Sequence, residues 1–186
     1  MGRTGVKKGV KAPLSLKEFM KYLCVIHQNE NGFTISCPDF SLGGFVANAE
    51  TREAATRQAE ESLAVLLREM GNPAPRYATL ADVSPAALAG LLAPPTAPEG
   101  LMLEAAPMNP ISLEIERILE KSGETLRVIA GRIGTSPAAL IRMKDPFYWG
   151  HSVRSLRDVA QACNQQLEMR FKPVPRAVKA PQVAAD

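Results

Sequence analysis

TLRVIAGRIGTSPAALIRMK, from Thr125 to Lys144, is the stretch that decides how the second half of this chain folds. Thr125 opens a helix expected to run to Ile133, and Gly134-Thr135-Ser136 breaks it as a tight turn. Ser136-Pro137 then gives a strong start signal, a capping hydroxyl followed by proline at the first helical position. A second helix is therefore expected over Pro137–Met143, ending before Asp145-Pro146. Two short helices that cross need a small residue inside the first, a glycine at the turn and an apolar anchor one turn into the second. Ala130 permits the close approach, Gly134 accepts a left-handed backbone, and Leu140 pins the second helix to the core.

The flanks extend this helical pattern. SLEIERILEK (Ser112–Lys121) places Leu113, Ile115, Ile118 and Leu119 at helical spacing and stops at Ser122-Gly123. Ser152 to Cys163 reads as a further helix, with Val153, Leu156, Val159 and Ala160 on one side. In the following QQLEMRF, Leu167, Met169 and Phe171 alternate with Glu168 and Arg170, which predicts a terminal strand. A strand this short pairs either within the chain or with the same strand of a second chain.

The first half reads differently. KYLCVIHQ from Lys21 is rich in strand formers, Asn29-Glu30-Asn31-Gly32 offers turn chemistry, and Phe33 to Cys37 alternates large and small side chains, so a β-hairpin is expected. Pro38-Asp39 and Gly43-Gly44 break the chain before a third short strand at Phe45-Val46-Ala47. Thr51 caps a helix to Met70 that aligns Ala55, Ala59, Leu63, Leu66 and Leu67 and stops at Gly71-Asn72-Pro73. The order implies an α+β fold, a small antiparallel sheet with one helix on it, followed by an all-α domain with a C-terminal strand. Expected boundaries are a basic, disordered arm over 1–19, the α+β domain over 20–74, a proline-rich connector over 75–110, the helical domain over 111–172 and a tail over 173–186. Within the connector, Ser84–Leu92 reads as a short helix and 100–108 as a strand returning to the sheet. Met20 is an alternative translation start.

Composition narrows the function classes. The 186 residues are 46% apolar and 22% charged, and no apolar run is long enough to span a bilayer. The basic N-terminus lacks the apolar core and cleavage site of a secretory signal, so a cytoplasmic setting is expected. Cys24, Cys37 and Cys163 have no metal-ligand spacing and are expected as free, packed thiols. The net charge of +3 is unevenly spread: residues 1–21 carry six basic and one acidic side chain, 22–110 four and ten, 111–171 nine and seven, and 172–186 three and one. An acidic middle suits a basic partner, and basic ends suit a polyanion.

No catalytic constellation emerges, and none of the residues is assigned to catalysis, a metal or a cofactor. Asp39 is the one aspartate near the hairpin, and Glu53, Glu60 and Glu61 fall at helical spacings that favour solvent, so carboxylates do not converge as a Mg²⁺ site requires. His27 and His151 lack a neighbouring nucleophile pattern and read as packing or surface residues. The crossed helices point elsewhere, to a helix-turn-helix whose second helix enters a DNA major groove. Its reading face would hold Thr135, Ser136, Pro137, Ala138, Ile141, Arg142 and Lys144, with Arg142 the base reader and the N–H groups at Ser136 facing a phosphate. The aromatic loop Phe147-Tyr148-Trp149 is expected to pack on the core, with Tyr148 in reach of a phosphate.

Residues 112–164 resemble an XRE-type, phage-repressor-like helix-turn-helix domain, on Leu126, Ala130, Gly134, Ser136, Leu140 and SLRDVAQACN from Ser155. Residues 20–74 resemble the HicB antitoxin family, on MKYLCVIHQNENGFTISCPDF and the acidic helix AETREAATRQAEESLAVLL. That pairing implies the antitoxin of a type II toxin–antitoxin system. Its N-terminal domain would have a degraded ribonuclease-H-like fold that binds and masks a HicA-like toxin, a small basic ribonuclease that cleaves mRNA. Its C-terminal domain would bind operator DNA and repress the operon. Asp39, Glu53, Glu60 and Glu61 are the candidate toxin contacts, and a homodimer or higher even oligomer through residues 152–172 would match two half-sites. The alternative is a toxin-independent transcriptional regulator whose N-terminal domain binds a small ligand or another protein.

Overall fold

The computed structural model describes residues 20–40, 46–91 and 97–173. The expected basic arm, the Gly43-Gly44 break, Phe45, Leu92 and all of the tail beyond Pro173 lie outside them. The described residues are mixed α/β, with a four-stranded antiparallel sheet and six α-helices, and the chain divides into two compact units, 1–108 and 109–186.

In the first unit, β1 (Lys21–Asn29) and β2 (Gly32–Ser36) form the expected hairpin, in register from Val25 opposite Ser36 to Asn29 opposite Gly32. Gly32 sits at a φ of +118° beside β3 (Val46–Ala49), and a Cβ there would come within 2.2 Å of the Ala49 carbonyl oxygen, so only glycine fits. The strand order is β3-β2-β1-β4, where β4 (Glu99–Glu104) pairs antiparallel with β1. The strand expected to return to the sheet is therefore present, a little earlier than its expected span.

Helix α1 (Arg52–Met70) begins at Thr51, whose side chain accepts from the Ala54 amide, and ends at left-handed Gly71. Ala55, Ala59, Leu63 and Leu67 meet Tyr22, Cys24, Ile26, Ile35, Cys37 and Phe40 in one core. Leu23 and Val25, which point to the opposite face of β1, are equally buried. That face is covered by part of the segment read as connector: Leu80 lies against Gly100 beside Leu23, and Val83 and Leu91 are buried. A 3-10 turn at Leu80–Asp82 and α2 (Pro85–Ala89) shape it. A strand covered on both faces carries a continuous apolar run, the reason TyrLeuCysValIle does not alternate.

The second unit contains α3 (Pro110–Ser122), α4 (Leu126–Arg132), α5 (Pro137–Met143) and α6 (Val153–Ala162). Their core joins Ile115, Leu119, Ile129, Ala130, Leu140, Met143 and Val159. One expectation fails here. Residues 167–171 form no strand, because no strand among the described residues pairs with them, and an alternating segment without a strand partner has no ladder to hold it.

Candidate nucleic-acid interface

The α4–turn–α5 pair is built by local chemistry. The Thr125 side chain accepts from the Val128 amide and opens α4, while the Ser136 side chain accepts from the Ala139 amide and opens α5. Between them, Gly134 adopts a φ of +67° and the Thr135 amide donates to the Ala130 carbonyl, closing α4. Ala130 and Leu140 are 1% and 0% exposed, so both sit where the sequence placed them, inside the packing of α4 against α5.

The outward side of this pair is open. Thr135, Ser136, Pro137, Ala138, Ile141 and Arg142 are exposed, and Lys144 is half-buried at the end of α5. The Arg142 guanidinium lies 5.4 Å from the centre of the Tyr148 ring, a cation–π contact that restricts its swing. Tyr148 does not offer its proton outward: the hydroxyl donates to the Gly150 carbonyl at 2.9 Å. The expected phosphate contact through Tyr148 thus gives way to a role in holding Arg142, since its single O–H donor is already engaged. Trp149 is instead the exposed member of the aromatic loop, 62% accessible. From sequence the whole loop is expected to pack on the core, and no local signal separates Tyr148 from Trp149.

Behind α5, His151 ties three segments together. Its Nε2 lies 2.8 Å from the Met143 carbonyl oxygen, and Nδ1 lies 3.3 Å from Asn109 Nδ2. With Nε2 donating and Nδ1 accepting, one neutral tautomer satisfies both contacts. Asn109 Nδ2 also donates to the Tyr148 carbonyl at 2.7 Å, and the Ser112 hydroxyl donates to the same oxygen at 3.2 Å. The C-terminus of α5, the aromatic loop and the start of α3 are thus held in a shared network. Arg132 is likewise occupied, pairing with Glu124 at 2.6 Å and donating to the Ala162 carbonyl. The Glu124 carboxylate is also the main reason the guanidinium pKa lies above its ordinary value.

In the first unit, the candidate carboxylates are not equivalent. Glu53 is exposed in the first turn of α1, and Glu60 and Glu61 are half-buried further along the same helix. Asp39 lies apart from them, in the 3-10 turn after β2, with its side chain only 3% exposed. It accepts from the Arg76 amide at 2.9 Å and from Arg76 Nε at 3.1 Å, while its other carboxylate oxygen is buried with no partner among the described residues. As a contact for a toxin Asp39 is therefore corrected: a carboxylate this enclosed anchors Arg76 to the turn and does not present a surface charge.

Other chemistry finds little to work with. The three cysteines are buried and free. A hydrogen bond from the Cys24 thiol to Cys37, with burial, pushes Cys24 far above the ordinary thiol range, and burial raises Cys163. A thiol held protonated in a closed core is a poor nucleophile. Burial, with Asp39 nearby, also raises Tyr22, whose hydroxyl donates to the Pro73 carbonyl. Among the described residues no cluster of His, Cys, Asp or Glu could hold a metal ion, and no helix is long and apolar enough to cross a membrane. No family model and no curated protein matches this chain.

Proposed function

We propose that this chain is the antitoxin of a type II toxin–antitoxin system: a non-enzymatic repressor that binds operator DNA through α4 and α5 and neutralises a HicA-like, mRNA-cleaving ribonuclease through its N-terminal domain. The observation that carries the DNA half is the division of α5 into two faces. Leu140 is fully buried and Ser136 caps the helix, while Pro137, Ala138, Ile141 and Arg142 stand exposed together. A helix anchored on one side and bare on the other suits insertion into a major groove about 12 Å wide. The α4–turn–α5 pair then acts as a helix-turn-helix of the XRE type, with α5 as its recognition helix.

Only Arg142 offers a fork of donors near the centre of that face, the geometry that pairs with guanine O6 and N7. Thr135, Ser136 and Lys144 would then hold phosphates, which position the protein without reading sequence. The antitoxin half rests on the resemblance of residues 20–74 to HicB, here interpreted as a degraded ribonuclease-H-like domain. It draws support from the glutamates on α1, which would meet a basic toxin.

Two measurements test the two halves separately. A mobility-shift titration with the DNA upstream of the protein's own gene should show binding that Arg142→Ala weakens by roughly 1–3 kcal/mol, with relaxed preference at one base pair. Unaltered affinity in an Arg142→Ala, Lys144→Ala double variant refutes the interface. Expression of the neighbouring short gene should arrest growth, and co-expression of this chain should relieve the arrest and co-purify the product. DNA binding without any such relief leaves the toxin-independent regulator standing.

A further inference from the structure

We propose that Cys24 and Cys37 are a cross-strand dithiol that two-electron oxidants convert into a reversible disulfide, joining β1 to β2 when α1 lifts from the sheet. The inference concerns the first unit alone and does not depend on what either unit binds. Register places the two residues. Val25 lies opposite Ser36 and Ile26 opposite Ile35, so the next position along the hairpin sets Cys24 opposite Cys37. Directly opposite residues of an antiparallel pair have Cα atoms about 4.5–5.5 Å apart and side chains on one face, within the range a disulfide accepts. Both side chains enter the same core, at 0% and 2% exposure, while Cys163 belongs to the core of the second unit. The sulfurs are already in contact: the Cys24 thiol donates to the Cys37 sulfur, and the Cys37 thiol donates to the Leu23 carbonyl oxygen at 3.4 Å.

While α1 is seated the pair is inert, since disulfide chemistry needs a thiolate and a path of approach, and the closed core denies both. Sheet and helix are held by different means. β1 is tied by backbone ladders to β2 and to β4, where Cys24 lies opposite Leu101. α1 is tied by the packing of Ala55, Ala59, Leu63 and Leu67, by the exposed Arg52–Glu99 pair at 2.9 Å, and by a backbone bond from the Ala106 amide to the Glu60 carbonyl. A local opening that releases the helix therefore uncovers both sulfurs while the ladder still holds them opposite each other. With hydrogen peroxide, one thiolate attacks an oxygen, the O–O bond breaks, and the departing hydroxide takes the thiol's proton as water, leaving a sulfenic acid. The second thiolate attacks that sulfur, the S–O bond breaks, and a second water leaves in the same way. Two S–H bonds are exchanged for one S–S bond, and the peroxide accepts both electrons and both protons. A small-molecule disulfide reaches the same product by two exchange steps and departs as two thiols. The bond closes the loop from Cys24 to Cys37 and persists until a thiol reductant removes it.

Oxidation of the full, unsubstituted chain tests this directly. Incubated with glutathione disulfide, the chain should lose the mass of two hydrogen atoms, and non-reducing peptide mapping should place the link between Cys24 and Cys37. The rate should rise roughly tenfold or more between buffer and urea just below the unfolding midpoint of the first unit, because it follows the opened fraction. The unfolding constant of the linked first unit, followed by circular dichroism, should fall roughly a hundredfold, as closing a loop of this length predicts, and dithiothreitol should reverse the change. Cys163→Ala should link as the unsubstituted chain does, whereas Cys24→Ala and Cys37→Ala should each stop at a mixed disulfide with glutathione. A link through Cys163, or no link in urea, overturns the proposal. So does glutathione held at Cys24 or Cys37 of the unsubstituted chain without closure of the pair. Linking as fast in buffer as in urea refutes the gate at α1, and a linked chain no harder to unfold than the reduced one refutes the joining of the strands.

Discussion

Leu140 and Ile141 are chain neighbours on opposite faces of α5, and replacing each by alanine should separate framework from reading face. Leu140 is fully buried, whereas Ile141 is 53% exposed. Leu140→Ala removes three carbon atoms worth about 2.4 kcal/mol of transfer free energy, and the cavity left behind raises the cost to about 3–4 kcal/mol. At ~0.05–0.15 kcal/mol per residue, a unit of about 65 described residues holds roughly 3–10 kcal/mol, so the loss is a large share of its stability. With a urea slope near 1 kcal/mol/M, the unfolding midpoint should fall by about 3–4 M. Ile141→Ala should shift it by less than about 0.5 M while weakening DNA binding. Trp149 is the single tryptophan of the chain and lies in the second unit, so its fluorescence follows that unit without interference from the first. Equal midpoints for the two variants would refute the assignment of faces on α5.

Other outcomes follow from contacts elsewhere. Arg76→Ala leaves the enclosed Asp39 carboxylate without its cation and should destabilise the first unit by roughly 1–3 kcal/mol, less than for a deeply buried pair because Arg76 itself is over half exposed. Adding Asp39→Asn should recover part of that loss, measured by urea unfolding followed by circular dichroism. His151→Ala strands the Met143 carbonyl and Asn109 amide contacts, so the Trp149-detected transition should lose about 1–3 kcal/mol. Asp82 accepts from the Thr79 backbone and hydroxyl, which holds its pKa below the ordinary aspartate value. A depressed carboxylate contributes stability above its unfolded pKa and loses it as pH falls through the folded value, so acid titration below pH 4 should loosen the 3-10 turn, and Asp82→Asn should abolish that part of the dependence.

The helical unit was largely legible because its boundaries are written in single residues. Thr125, Ser136 and Ser152 cap three helices as hydroxyls do, proline follows Ser136, and Gly134 takes the left-handed turn. The sheet was legible in its hairpin and returning strand, but its second face was not. Leu80, Val83 and Leu91 are apolar residues scattered through a proline-rich stretch without period, and nothing local says that Leu80 lies beside Leu23 or that Val83 and Leu91 are buried. The site was less legible than the fold for a related reason. Asp39 and Arg76 are 37 positions apart, and His151 reaches Asn109 across 42, so both contacts exist only after tertiary packing. A carboxylate near a turn reads as surface until its partner is placed. The C-terminal alternation was read as a strand, and a single chain supplies no partner for it.

The exposed face of α5 is short of polar side chains, which bears on how it would discriminate between DNA sequences. A flexible arginine loses rotamer freedom when it docks on a base, a cost set against each hydrogen bond it forms. Arg142 starts from a restricted position, because its guanidinium rests on Tyr148, and that ring is held in turn by the hydroxyl contact to Gly150. A Cβ at Gly150 would fall 2.6 Å from the Tyr148 oxygen, so glycine is what lets the ring lie there. If α5 reads DNA as proposed, the loop after it would act on the exposed face at one remove, and one pre-organised arginine would contribute more discrimination than several free ones. On this reasoning Tyr148→Leu, which keeps the bulk and removes the aromatic face, lowers specific affinity more than it lowers stability. Binding to unrelated DNA, carried by phosphate contacts, changes little.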